Sequence, residues 1–184
     1  MKFLLTTFML LTSYIATFAQ KETPNLPVDS TTNKITYSEV VTVDSSNNKQ
    51  ELYSRAREWF AKVYNSAQNV IQMDDKESGK IVGKALMTVY FKWLGASREG
   101  GYINYTLSVQ LKNGRYKYEI TDFYHTGGVD YPDYGSCESM MKSKHQKKVF
   151  NGFLIQLDNN IKALVLNLKE SMAIQTTAGK KDNW

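Results

Sequence analysis

Two strand-like alternations and two helical stripes organise the chain. Residues 102–112 and 115–125 alternate apolar and polar side chains on either side of Asn113-Gly114. A two-residue Asn-Gly loop fits a type I′ turn, because both central positions need positive φ. Such a turn fixes the register. It sets Leu111 opposite Tyr116, Val109 opposite Tyr118, Leu107 opposite Ile120 and Ile103 opposite Tyr124 on one face. The other face pairs Lys112 with Arg115, Gln110 with Lys117, Ser108 with Glu119 and Thr106 with Thr121. One face is apolar or aromatic and the other polar, so the hairpin reads as part of an antiparallel sheet packed on one side and wet on the other. In this register His125 lies opposite Tyr102 on the wet face.

Three further stretches carry strand signals: the β-branched run at 35–43, the shorter 69–74, and 80–94, which is apolar on one alternation. Asp75 to Gly79 is polar and ends in glycine, as a hairpin loop does. Gly83 marks a bulge or a close helix approach. Helical spacing appears in 49–67, where Leu52, Ala56, Trp59, Phe60, Val63 and Tyr64 recur at three- and four-residue steps. The preceding 44–48, Asp-Ser-Ser-Asn-Asn, offers side-chain oxygens for the first free N–H groups of that helix. A longer stripe runs from Val149 through Phe150, Phe153, Leu154, Leu157, Ile161, Leu164, Val165 and Leu168 to Met172. Trp59 and Trp93 both have core spacing.

The resulting order is β-α-β-β-β-β-α, an α+β arrangement in which a sheet of about five antiparallel strands carries two helices on one face. The run 35–60, then DDKESGKIVGKA, then KNGRYKYEITDFYH, resembles DUF4468, an exported Bacteroidetes family of unknown function with a TBP-like fold. The resemblance covers residues 35–125 and extends loosely to the final helix. It implies a fold and a Gram-negative host but supplies no catalytic residues.

The ends of the chain bear on compartment. Met1 and Lys2, an apolar stretch to Phe18 and small residues around Ala19 read as a signal peptide cut before Gln20, which predicts a periplasmic or secreted protein with no membrane span after cleavage. Residues 20–34 read as a linker, 35–174 as the domain and 175–184 as a frayed tail. With Cys137 as the sole cysteine, an exported domain must rely on its core rather than on an intrachain disulfide. The net charge of +5 is a mild excess. Its densest part, Lys142, Lys144, Lys147 and Lys148, fits a solvated helix face better than a nucleic-acid surface, and export argues further against nucleic acid.

Candidate chemistry is concentrated in 123–139, FYHTGGVDYPDYGSCES. A hydrolase-type site would use His125 with Asp130, Asp133 or Cys137. Ser136 lacks a nucleophile elbow, since its surroundings read Tyr-Gly-Ser-Cys-Glu. The string Asp-Tyr-Pro-Asp-Tyr-Gly lacks calcium-loop spacing, and two histidines with one cysteine make a weak zinc set. Turn chemistry accounts for these residues more simply, and the loop tyrosines fit a role in pinning the segment to the domain. The sequence therefore predicts no metal, no cofactor and no catalytic centre. It predicts an envelope module that binds a protein or small ligand through the open sheet face or the 126–139 loop, with Tyr102, Lys117, Glu119, His125, Asp130 and Tyr134 as candidate surface residues. A helix-grip carrier of hydrophobic ligands shares much of the strand order and would hold a cavity beneath the last helix.

Overall fold

The computed structural model describes residues 24–128 and 131–173. The expected signal peptide, the tail from 174 onward and Asp130 lie outside the described residues. Strands β1 (Tyr37–Thr42), β2 (Ile71–Asp75), β3 (Lys80–Trp93), β4 (Ala96–Lys112) and β5 (Arg115–Thr126) form one antiparallel sheet in the order β1-β5-β4-β3-β2. A two-residue strand, β6 (Gly135–Ser136), pairs with the end of β5. Helices α1 (Lys49–Val63), α2 (Ala67–Val70), α3 (Cys137–Lys142) and α4 (Lys147–Ala173) complete the chain. Asn48 caps α1, its side-chain oxygen accepting from the N–H of Glu51 at 2.9 Å. Part of the expected linker belongs to the domain. Leu26 is buried, Val28 pairs with Ile35, and Asp29 Oδ1 accepts from the N–H of Thr31 and Thr32.

The Asn113-Gly114 hairpin has the expected register from Lys112–Arg115 back to Thr106–Thr121. Beyond that point β5 carries one extra residue. Asp122 takes a left-handed φ of 59°, forming a bulge that turns Phe123 and His125 inward and Tyr124 outward. Ile103 therefore pairs with His125 rather than Tyr124, and Tyr102 with Thr126 rather than His125. His125, expected on the wet face, is fully buried.

Both long helices pack on the apolar face. Phe60 of α1 comes so close to the sheet that a Cβ on Gly83 would lie 2.8 Å from its ring, which explains a glycine inside β3. From α4, Phe153, Leu154, Leu157, Ile161, Leu168 and Met172 enter the core. Trp59 is buried as expected, and its indole N–H donates to Asn167 Oδ1 on α4 at 2.8 Å. Trp93 is not core. It is 59% exposed because β3 and β4 run past the helices and turn at Leu94-Gly95, extending β4 back to Ala96 where only a loop was expected before residue 102.

Candidate functional site

The crossover after β5 contains more structure than the expected turn-rich loop. Ser136 caps α3, its hydroxyl accepting from the N–H of Ser139 at 3.2 Å. Asp133 accepts from the N–H of Gly127 at 2.7 Å and so folds the loop back on the strand. Cys137 is fully buried, and burial, followed by the nearby Glu138 carboxylate, pushes its thiol up to about 12. A thiol in that environment stays protonated at neutral pH and is a poor nucleophile.

His125 is the centre of this packing. Its Nε2 lies 2.8 Å from the carbonyl oxygen of Gly100, and its Nδ1 faces the N–H of Tyr134 at 3.4 Å. The consistent tautomer carries the proton on Nε2, donating to Gly100 and accepting from Tyr134. One side of the ring stacks on Phe153, with centroids 5.4 Å apart and planes 9° apart, and Tyr134 covers another side at 4.9 Å. Burial pushes the imidazole pKa below its ordinary value, against the hydrogen bond to Gly100. Both ring nitrogens are engaged by backbone, which leaves neither directed at Asp133, Ser136 or Cys137. Among the described residues, no group of three His, Cys, Asp or Glu side chains is placed to hold a metal ion.

The other candidates are divided between two sides of the sheet. Lys117 and Glu119 form an ion pair at 2.9 Å on the open face, beside a small depression of about 230 Å³. Tyr102 lies on that same wet side, its hydroxyl bonded to Glu99. Tyr134 sits across the sheet with His125, at the wall of a larger groove of about 750 Å³. This groove is bounded by the β3–β4 hairpin (Tyr90, Lys92, Trp93), the loop residues Tyr131 and Tyr134, and the first turns of α4 (Lys148, Val149, Phe153, Gln156). Tyr131 packs edge-on against Phe91, as a loop-pinning residue should.

The groove has a rigid frame. The Gln156 amide accepts from the N–H of Tyr90 at 2.9 Å and donates to its carbonyl at 2.7 Å, tying α4 to the edge of β3 as a neighbouring strand would. Gly100 lets Phe153 reach the sheet, since a Cβ there would overlap the phenyl ring. Sequence reasoning missed Tyr90, Lys92, Trp93, Lys148 and Gln156 because they come from two elements 50 or more residues apart. The available signal was local: Leu94-Gly95 ends an apolar run and Gly100-Gly101 interrupts the next strand. The space that a helix-grip carrier would hold open under the middle of α4 is filled by Leu157 and Ile161, both fully buried.

A one-layer antiparallel sheet with both long helices on one face and its strands joined in this order defines a TBP-like α+β domain. Residues 37–126 match a family described as a domain of unknown function (DUF4468) with TBP-like fold. The structure is similar to the crystal structure of a DUF4468 family protein from Bacteroides ovatus, with a TM-score of 0.64 and 14% identity over 83% of this chain and 92% of that one. It is also similar to a TBP-like protein from Parabacteroides distasonis, with a TM-score of 0.55 and 17% identity over 78% of this chain and 97% of that one. At these identities the likeness concerns the fold. No curated protein matches the chain.

Proposed function

We propose that this protein is an exported, non-catalytic module of a Bacteroidetes cell envelope that holds an amphipathic anion or an acidic, apolar segment of a partner in the groove beside the crossover loop. The observation that carries this reading is the groove itself. It combines exposed aromatic rings with two lysines, Lys92 and Lys148, that have no ion-pair partner among the described residues. Apolar walls with a few charged groups are the usual make-up of a ligand site. The open face, by contrast, offers a smaller depression whose charges, Lys117 and Glu119, already satisfy each other. The apolar N-terminal run supports the envelope address. No helix among the described residues is long and apolar enough to cross a membrane.

Two measurements test this reading. Anilinonaphthalene sulfonate, an apolar anion, is expected to brighten on binding the native protein, and the combined change Trp93→Ala with Lys148→Glu should weaken its affinity at least tenfold while the circular dichroism spectrum stays native. Unchanged affinity in that variant would remove the groove as the site. For the address, intact-mass analysis of the protein from a periplasmic extract should give a chain beginning at Gln20. Recovery only from membranes, with Met1 retained, would mean the N-terminal run is an anchor.

A further inference from the structure

The tip of the β3–β4 hairpin serves no packing role in the domain. Residues 92–99, Lys-Trp-Leu-Gly-Ala-Ser-Arg-Glu, are all exposed, so the turn stands clear of the body. Leu94 is 93% exposed and Trp93 59% exposed, and a Cβ on Gly95 would meet nothing within 4 Å. The turn is made by Leu94 and Gly95, with φ values of 48° and 82°. Positive φ at both positions is the type I′ geometry that normally selects Asn, Asp or Gly, because a larger side chain strains there. A leucine at the first position thus costs backbone energy and also exposes apolar surface. Nothing in the fold repays either cost.

The flanking residues identify what does. Lys92 and Arg98 sit on the two strands just below the apex, so Trp93, Leu94 and Ala96 form an apolar cap over a cationic base. Lys148 stands on the groove wall beside the hairpin, and Lys144, in the turn before α4, and Lys147, its first residue, are exposed. Glu99, the one acidic residue of the tip, accepts from the Tyr102 hydroxyl and keeps its charge, so the two cations of the tip outweigh it by one. An apolar apex with an indole at its shoulder and a cation on each face, Lys92 one residue behind Trp93 and Arg98 two behind Ala96, matches the layers of a bilayer surface: acyl boundary, interface and anionic headgroups. We infer that the hairpin Lys92–Arg98 is a docking tip for an anionic lipid surface, with Leu94 entering the acyl boundary, Trp93 at the headgroup level, and Lys92 and Arg98 on the lipid phosphates. This binding is peripheral. The tip shares Lys92 and Trp93 with the groove, whereas Leu94 belongs to the tip alone.

The test uses the exported chain purified from periplasm and vesicles of phosphatidylethanolamine with phosphatidylglycerol, compared with vesicles of phosphatidylcholine alone. Cosedimentation should favour the anionic vesicles at least tenfold and weaken as salt rises. Leu94→Asp should lower the association at least tenfold, and Lys92→Glu with Arg98→Glu should abolish the preference for anionic lipid. The inserted aspartate suits the turn better than leucine does, so the variant's unfolding temperature should equal or exceed that of the parent, and loss of binding is not explained by misfolding. Leu94 does not line the groove, so Leu94→Asp should bind the naphthalene sulfonate probe as the parent does; this separates failure of the lipid inference from failure of the groove reading. Equal sedimentation of parent and Leu94→Asp with anionic vesicles, or none by the parent, overturns the inference. In the second case a protein partner becomes the occupant of the tip.

Discussion

Leu157→Ala is expected to destabilise the protein by about 2–5 kcal/mol. Leu157 is fully buried in α4 between the similarly buried Leu154 and Ile161. Removing the side chain loses its transfer free energy and leaves a cavity, and the cost depends on how far the neighbours collapse. Little collapse is expected here. Asp158, one residue on, accepts from Tyr37 on β1 at 2.8 Å, and Gln156, one residue back, is tied to Tyr90 on β3, so the helix is held at both edges of the sheet. Urea unfolding with an unchanged slope and a lowered midpoint would report this loss. A loss below about 1 kcal/mol would show that this part of α4 covers adaptable space, which is what a helix-grip carrier requires.

His125 provides the second large effect, and it depends on pH. His125→Phe keeps an aromatic ring against Phe153 but leaves the buried carbonyl of Gly100 and the N–H of Tyr134 without their partner. The expected cost is about 2–4 kcal/mol, most of it from the Gly100 carbonyl, since its bond is the shorter and the more deeply buried. In the parent protein the folded-state pKa of His125 is depressed by burial. The unfolded chain, with an ordinary value of about 6.5, takes up the proton first. Stability from the neutral ring is therefore fully present above about pH 6.5 and declines as pH falls from there toward the folded-state value. His125→Phe should be less stable at pH 7.5 and should lack the decline that sets in below about pH 6.5. A parallel slope in parent and variant would mean that the ring is solvated and free to titrate.

This histidine also shows where the sequence stopped being legible. The Asn113-Gly114 turn and two alternations were enough to place every pair from Lys112 to Thr106 correctly, because a two-residue loop permits one register. They could not decide beyond Asp122, where Phe123 and Tyr124 are both aromatic and either could continue the inward alternation. The left-handed bulge at Asp122 chose Phe123 and thereby moved His125 from the surface to the core. Asp tolerates that conformation better than most residues, but the sequence does not require it there.

The site was harder still to read. Turn chemistry accounted for Asp133, whose oxygen takes the N–H of Gly127, but not for Ser136, which caps a helix that was not expected. The groove, however, joins the far end of β3 to the start of α4, and no local pattern relates Trp93 to Lys148. Trp93 misled because its spacing continues the apolar alternation of β3; only the length of the hairpin relative to the helices decides that it emerges into solvent. The short elements β6 and α3 carry too few residues for any periodicity to be seen.

A packed histidine cluster and a binding groove lie side by side, and NMR distinguishes them most directly. Amide and side-chain NMR shifts, recorded while anilinonaphthalene sulfonate is titrated into the native protein, should move at the Trp93 indole N–H, the Gln156 amide and the backbone of Tyr131 and Tyr134. Shifts at Lys117 and Glu119 should stay still, since they lie across the sheet. Movement confined to that open face, or the absence of any saturable shift at Trp93 and Gln156, would contradict the account.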